Sequence, residues 1–172
     1  VELLLCDDAS NDGTTEYLSS NFLENTIFNT KAKGLIYNRN ELNNLAKGEF
    51  IISLDDDANF LCQNPFDKIE HIFRENPNCA VVAFHIYWGK NRPNISIIED
   101  SFNTKSFVGC GHAWKRSIWN KLKMNYPSWY KFYGEEEFAS FKIFKNGYKI
   151  MFNSAILVHH RVNVKGRKKD KD

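Results

Sequence analysis

No apolar run in the 172 residues approaches the roughly 18–20 needed for a helical membrane span. Cys6, Cys62, Cys79 and Cys110 lie far apart, with no C-x-x-C pair and no matching histidines. That spacing excludes a structural zinc site and a disulfide framework, and it reads as reduced cysteines of an intracellular protein. Charge of either sign is nearly balanced, at a net +2, so the overall field calls for no nucleic-acid partner. The balance is uneven: residues 161–172 carry six Lys/Arg against two Asp, a solvated basic tail on the simplest reading. Internal repeats, low-complexity segments and a secretory leader pattern are also missing. The chain opens directly on an apolar stretch, Val1 to Cys6, and stops after KGRKKDKD without a closing element. The expectation is therefore a fragment of a longer protein, cytoplasmic or at the inner face of the membrane through a following segment.

What is present fits a single domain. Apolar residues make up 42% and charged residues 26%, as in ordinary soluble globular chains, and this length buries about 70% of the unfolded surface. The most informative stretch is Glu49 to Phe60, EFIISLDDDANF. A short apolar run behind Gly48 reads as a buried strand. It ends in Asp55, Asp56 and Asp57, three like charges whose repulsion a cation would relieve. Strand carboxyl ends are where ligands bind in open α/β sheets.

Around it the elements alternate. Val1 to Cys6 is a strand ending in Asp7 and Asp8; turn residues follow, and a short helix starts near Thr14 with Asp12 or Thr15 as cap. Asp8, Ser10, Asp12 and Gly13 imitate the start of a calcium loop, but Ser19 stands where the bidentate glutamate belongs. Thr26 to Thr30 is a second strand. Leu35, Ile36, Leu42, Leu45 and Ala46 then mark the apolar face of a helix ended by Gly48. The order β-α-β-α-β points to a parallel sheet with crossover helices. Asn64 and Pro65 start a helix with Phe66, Ile69, Ile72 and Phe73 on one face. Cys79 to Trp88 is a long strand, and 89–105 an irregular or hairpin insertion. Ser106 to Trp114 is a strand containing Gly109 and Gly111, which mark close approach of a ligand or a bulge. A short helix, an aromatic-rich loop and a helix opened by Gly134 and closed by Gly147 follow. YKIMF and AILVHH read as two last strands.

CDDASNDGT, GLIYNRNELNNLAKGEFIISLDDDANF, FVGCGHAWKRSIW, YGEEEFASFKIFKNGYKI and the terminal HH occur in the order and spacing that resemble the inverting, nucleotide-sugar-dependent glycosyltransferases of family 2. The resemblance implies an α/β fold of GT-A (Rossmann-like) type. That is one domain over residues 1–160 with a mostly parallel central sheet flanked by helices, then the basic tail 161–172. It implies a nucleoside-diphosphate sugar donor, UDP-linked first, a glycan, lipid or protein hydroxyl as acceptor, and Mg²⁺ or Mn²⁺ as cofactor.

The same resemblance assigns roles. Asp8, with Asp7 beside it, meets the nucleobase; Arg39 approaches the diphosphate, which its planar donors suit. Asp57 ligates the cation, while Asp55 and Asp56 serve the ribose or the metal, and His159 or His160 adds a ligand. Glu136 is the general base, within the cluster Glu135 to Glu137. Gly109 and Gly111 line the acceptor loop, and Trp129 offers a stacking face with Tyr130 and Tyr133. The sequence also departs from the family pattern. The family's first strand, with its nucleotide-holding loop, is missing. Glu136 replaces an aspartate, Phe138 an acid and Lys142 an arginine. The rival readings are a degenerate nucleotide- or sugar-binding module and a Mg²⁺-dependent phosphotransferase.

Overall fold

A computed structural model describes residues 1–94, 99–130 and 133–161. The basic tail beyond Arg161 and part of the 89–105 insertion lie outside the described residues. Strands β1 (Leu5–Asp7) and β2 (Thr26–Phe28) pair in parallel as a sheet of their own. Helix α1 (Thr14–Asn21) joins them, and α2 (Leu35–Leu45) leads on to β3 (Phe50–Leu54). Next come β4 (Ala58–Phe60), α3 (Pro65–Glu75), β5 (Cys79–Trp88), β6 (Ser101–Thr104) and β7 (Gly111–Lys115). Helices α4 (Arg116–Lys121) and α5 (Glu135–Lys145) and strand β8 (Lys149–His160) are the last elements among the described residues.

The main sheet runs β3-β7-β5-β8-β4, with β6 also on β8. It is mixed, where the element order predicts a mostly parallel sheet: β5 and β8 are parallel, and β3–β7, β7–β5, β8–β4 and β8–β6 are antiparallel. The cause is the route of the chain. A parallel return needs a crossover, usually helical, and β7 follows β5 and β6 with no helix among the described residues between them. The two predicted final strands are one, β8, whose irregularity opposite Phe84 and His85 is bridged where Asn153 Oδ1 accepts the Ala155 amide at 2.9 Å. β6 lies within the predicted insertion; it pairs with the first half of β8, and β4 pairs with the last three residues of β8.

Side chains alternate across the sheet, so β5 feeds two cores. Val81 and Ala83 join Ile51, Trp114, Trp119, Tyr126, Ile143 and Ile150 on the face covered by α2, α4 and α5. Val82 and Phe84 join Ile69, Ile72, Phe73, Ile156 and Val158 on the α3 face. Being covered on both faces, β5 reads as a continuous apolar run.

Candidate active site

β3, β5 and β8 share one direction and β7 opposes them. The carboxyl ends of β3 and β8 and the start of β7 therefore meet at one edge. Leu54 is in register with Gly111, so the aspartates leave β3 beside the glycine loop. β4 then turns back, placing Ala58 opposite His160, while the Arg161 amide donates to the Asp57 carbonyl at 2.9 Å. That register sets Asp57 against the final histidine.

His160 Nε2 lies 2.6 Å from Asp57 Oδ1 and 4.0 Å from Asp55 Oδ2. One ligand atom from each of Asp55, Asp57 and His160 falls within 4.8 Å of the others. A shell of roughly 2.1 Å radius spaces neighbouring ligands about 3 Å apart, so small side-chain rotations suffice to gather the three about one ion. Two carboxylates with an imidazole are a donor set that could hold a divalent cation. His160 is buried against Trp88, with ring centroids 4.6 Å apart, and its Nδ1 has no partner among the described residues. Asp56 is exposed and stands outside the cluster. His159, one residue earlier, points to the other face of β8, where Nε2 bonds the Gly89 carbonyl at 2.6 Å. Of the two sequence-predicted histidines, the strand's period of two selects His160.

Helix α5 begins on the left-handed Gly134 (φ 101°), where Tyr130 leaves no space for a Cβ. Its first turn carries Glu135, 1% exposed, and Glu136, half-buried. Glu136 Oε1 accepts the Gly109 amide at 2.9 Å. A Cβ on Gly109 would sit 2.5 Å from that oxygen and 2.9 Å from Arg39 Nη1, so Gly109 is required for close approach by the protein's own side chains. Gly111 is likewise closed in, by Ile86 and Phe84. Burial, with the charge and hydrogen bonding of Glu135 added, raises Glu136 to about 7 against the opposing pull of its own backbone amide and of Arg39. Arg39, 6% exposed, donates to Glu135 Oε1 at 2.8 Å and to Asp55 Oδ1 at 3.0 Å. The second oxygen of Glu135 is buried without a partner among the described residues.

The first acidic pair is held by backbone. Asp7 is buried; it accepts from the Ser10 amide at 3.1 Å and the Thr15 hydroxyl at 2.5 Å, and these bonds lower its pKa. It fixes the turn into α1, which starts after Gly13 with Asp12 bonded to Thr14. Asp8 accepts from the amides of Lys33 and Gly34, each at 2.8 Å, and from Asn29 at 3.0 Å. Burial opposes its ionisation, but bonds from Asn38, Lys33, Gly34 and Asn29 outweigh this and hold it at about 2. A calcium loop is incompatible with these partners. Trp129 is 74% exposed, its face open to solvent.

Three contributors went unseen in the sequence. Asn40 exchanges two 2.8 Å bonds with the Tyr126 backbone, joining α2 to the aromatic loop. His112 is fully buried and kept neutral by burial and by Arg39, at about 3; its Nδ1 meets the Val108 carbonyl at 3.1 Å and steadies the glycine loop. Tyr126 closes the set by accepting from the Trp114 indole at 3.1 Å. The available signal was the run of asparagines in α2, poor helix formers unless their amides are used.

Among solved structures, GalNAc-T7 with UDP, GalNAc and Mn²⁺ superposes with a TM-score of 0.75 at 17% identity, over 99% of this chain and 39% of that one. Staphylococcus aureus TarS gives 0.71 at 16%, over 94% and 31%. The mannosyltransferase PcManGT from Pyrobaculum calidifontis, in complex with GDP-Man and Mn²⁺, gives 0.69 at 18%, over 95% and 49%. The chain thus spans less than half the length of each of these structures, and at such identities the likeness establishes the fold. No curated protein sequence matches the chain significantly. Among the described residues, no helix is long and apolar enough to cross a membrane. The model of glycosyl transferase family 2 matches residues 1–146, which carry every motif around the site except the final histidines, and the chain belongs to that family.

Proposed function

We propose that this chain is the donor-binding and catalytic part of a metal-dependent, inverting glycosyltransferase. It moves a sugar from a nucleoside diphosphate, UDP first, to a hydroxyl of a glycan, lipid or protein acceptor. The observation that carries the reading is a three-member oxygen and nitrogen donor set, Asp55, Asp57 and His160, at the edge where Gly109 holds Glu136. Neighbours of the same fold were solved with UDP and Mn²⁺ or with GDP-Man and Mn²⁺, which supports the donor class and the metal. A divalent cation there would offset charge on the leaving diphosphate.

The chain's own residues supply the rest. Glu136 takes the acceptor hydroxyl's proton while that oxygen bonds to the anomeric carbon. The bond to the diphosphate breaks on the opposite face, its electron pair leaving with the phosphate, so one displacement inverts the centre. Burial suits Glu136 to this task, since a carboxylate raised toward neutrality is a stronger base that is still available as the anion at slightly alkaline pH. Exposed Trp129 and Tyr133 offer faces to an acceptor sugar.

The test is release of UDP from a panel of UDP-sugars with and without Mn²⁺, the anomeric configuration of the product being read by proton NMR. Mn²⁺-dependent release with inversion is expected. Binding of UDP without any turnover favours a degenerate binding module, and a product of retained configuration overturns the base mechanism.

A further inference from the structure

Arg39 carries more than one element of the site. It rises from α2 into the protein, 6% exposed, and its two terminal nitrogens bond carboxylates from different parts of the chain: Nη1 to Glu135 on α5, Nη2 to Asp55 after β3. A planar guanidinium keeps those nitrogens at a fixed spacing and angle. Through Glu135 it anchors the turn that bears Glu136. Through Asp55 it anchors the donor set shared with Asp57 and His160. Gly109, whose amide bonds Glu136, is packed so near Nη1 that an added Cβ would stand 2.9 Å away. Both terminal nitrogens are already held by charge-assisted bonds of 2.8 and 3.0 Å, and burial of the side chain leaves a phosphate little access to its remaining N–H groups.

We infer that Arg39 is a positioning residue: one buried guanidinium sets the spacing between the metal-facing carboxylate Asp55 and the base-bearing turn of α5, and does not bind the donor's diphosphate. The terms metal-facing and base-bearing rest on the function proposed above; the mechanical link between the two carboxylates does not. A lysine in its place keeps the charge but offers a single point donor, which cannot hold two carboxylates from two elements in one plane.

The experiment compares wild type with Arg39→Lys and Arg39→Met, each first shown to be folded by its far-ultraviolet circular dichroism. Three readouts are taken: Mn²⁺ affinity by electron paramagnetic resonance with the metal alone, UDP affinity without metal by calorimetry, and amide hydrogen exchange at Gly109. For Arg39→Lys the expected result is a loss of Mn²⁺ affinity of about tenfold or more, faster Gly109 exchange by a similar factor, and metal-free UDP affinity within twofold of wild type. Loss of UDP affinity with Mn²⁺ binding and Gly109 protection unchanged overturns the inference in favour of a phosphate ligand. A lysine variant equal to wild type in all three also overturns it, since charge alone would then suffice. If wild type binds no Mn²⁺, the proposed metal dependence fails, while Gly109 exchange still decides whether Arg39 holds the α5 turn. Should Arg39→Met not fold, Arg39→Lys carries the comparison; should neither fold, the residue is a stability element and the positioning role is rejected.

Discussion

The two faces of the main sheet bury their helices in opposite ways. Behind the sheet, α3 presents Ile69, Ile72 and Phe73, each at most 7% exposed, to an apolar core. In front, α2 buries Ile36 together with Asn38, Arg39, Asn40 and Asn43, while Leu35 and Leu45, on its predicted apolar face, are 38% and 51% exposed. The first helix is held by area removed from water. In the second, Asn38, Arg39 and Asn40 are held by hydrogen bonds to distant partners, while Asn43 Nδ2 has none among the described residues; through Arg39 and Asn40 the helix connects the acidic strand end to α5 and the aromatic loop. A helix that serves as scaffold and one that serves a site differ in what they put inside.

Substitutions sharpen this contrast. Phe73→Ala has the largest expected effect on folding, about 3–5 kcal/mol of lost stability. Chemical denaturation measures it, and Mn²⁺ affinity in the surviving folded fraction stays at the wild-type value. Asn40→Leu adds apolar surface to α2 and nonetheless destabilises, by about 2 kcal/mol, because it strands the Tyr126 amide and carbonyl in the interior. A stabilised Asn40→Leu protein would show that the front face is an ordinary apolar core. Glu136→Gln separates chemistry from structure on the same face. Donor turnover should fall about 100-fold or more with the fold retained in far-ultraviolet circular dichroism, and a normal rate removes Glu136 as base. The smallest effect is in the pH dependence. Glu136, raised from 4.5 to about 7 by burial, contributes stability that is present below 4.5 and lost as pH rises through about 7. Asp8, held at about 2 by its hydrogen bonds, contributes stability present above 3.8 and lost as pH falls through about 2. Glu136→Gln flattens the first slope and Asp8→Asn the second, as denaturation at several pH values measures.

The sequence made one face far more legible than the other. Periodicity and the Asn64–Pro65 start located α3, although Asn64 caps it in the left-handed region and without a side-chain bond. The aspartate cluster announced itself by its charge at a strand end, and β5 by its length. The buried polar stripe of α2 stayed hidden, because a pattern method sorts Asn and Arg to the outside and only their distant partners, Glu135, Asp55 and the Tyr126 backbone, bring them in. β4 and β6, of three and four residues, are too short to show a period, and their pairing to opposite halves of β8 is a matter of register. The choice between His159 and His160 needed that register as well.

The central claim is that Asp55, Asp57 and His160 hold a cation that in turn holds the nucleotide, and calorimetric titration of the protein with UDP, with and without Mn²⁺, in wild type and Asp57→Ala tests it most directly. The predicted result is UDP binding that strengthens at least tenfold with Mn²⁺ in wild type and gains nothing from the metal in Asp57→Ala. UDP binding with the same affinity in all four titrations would contradict it.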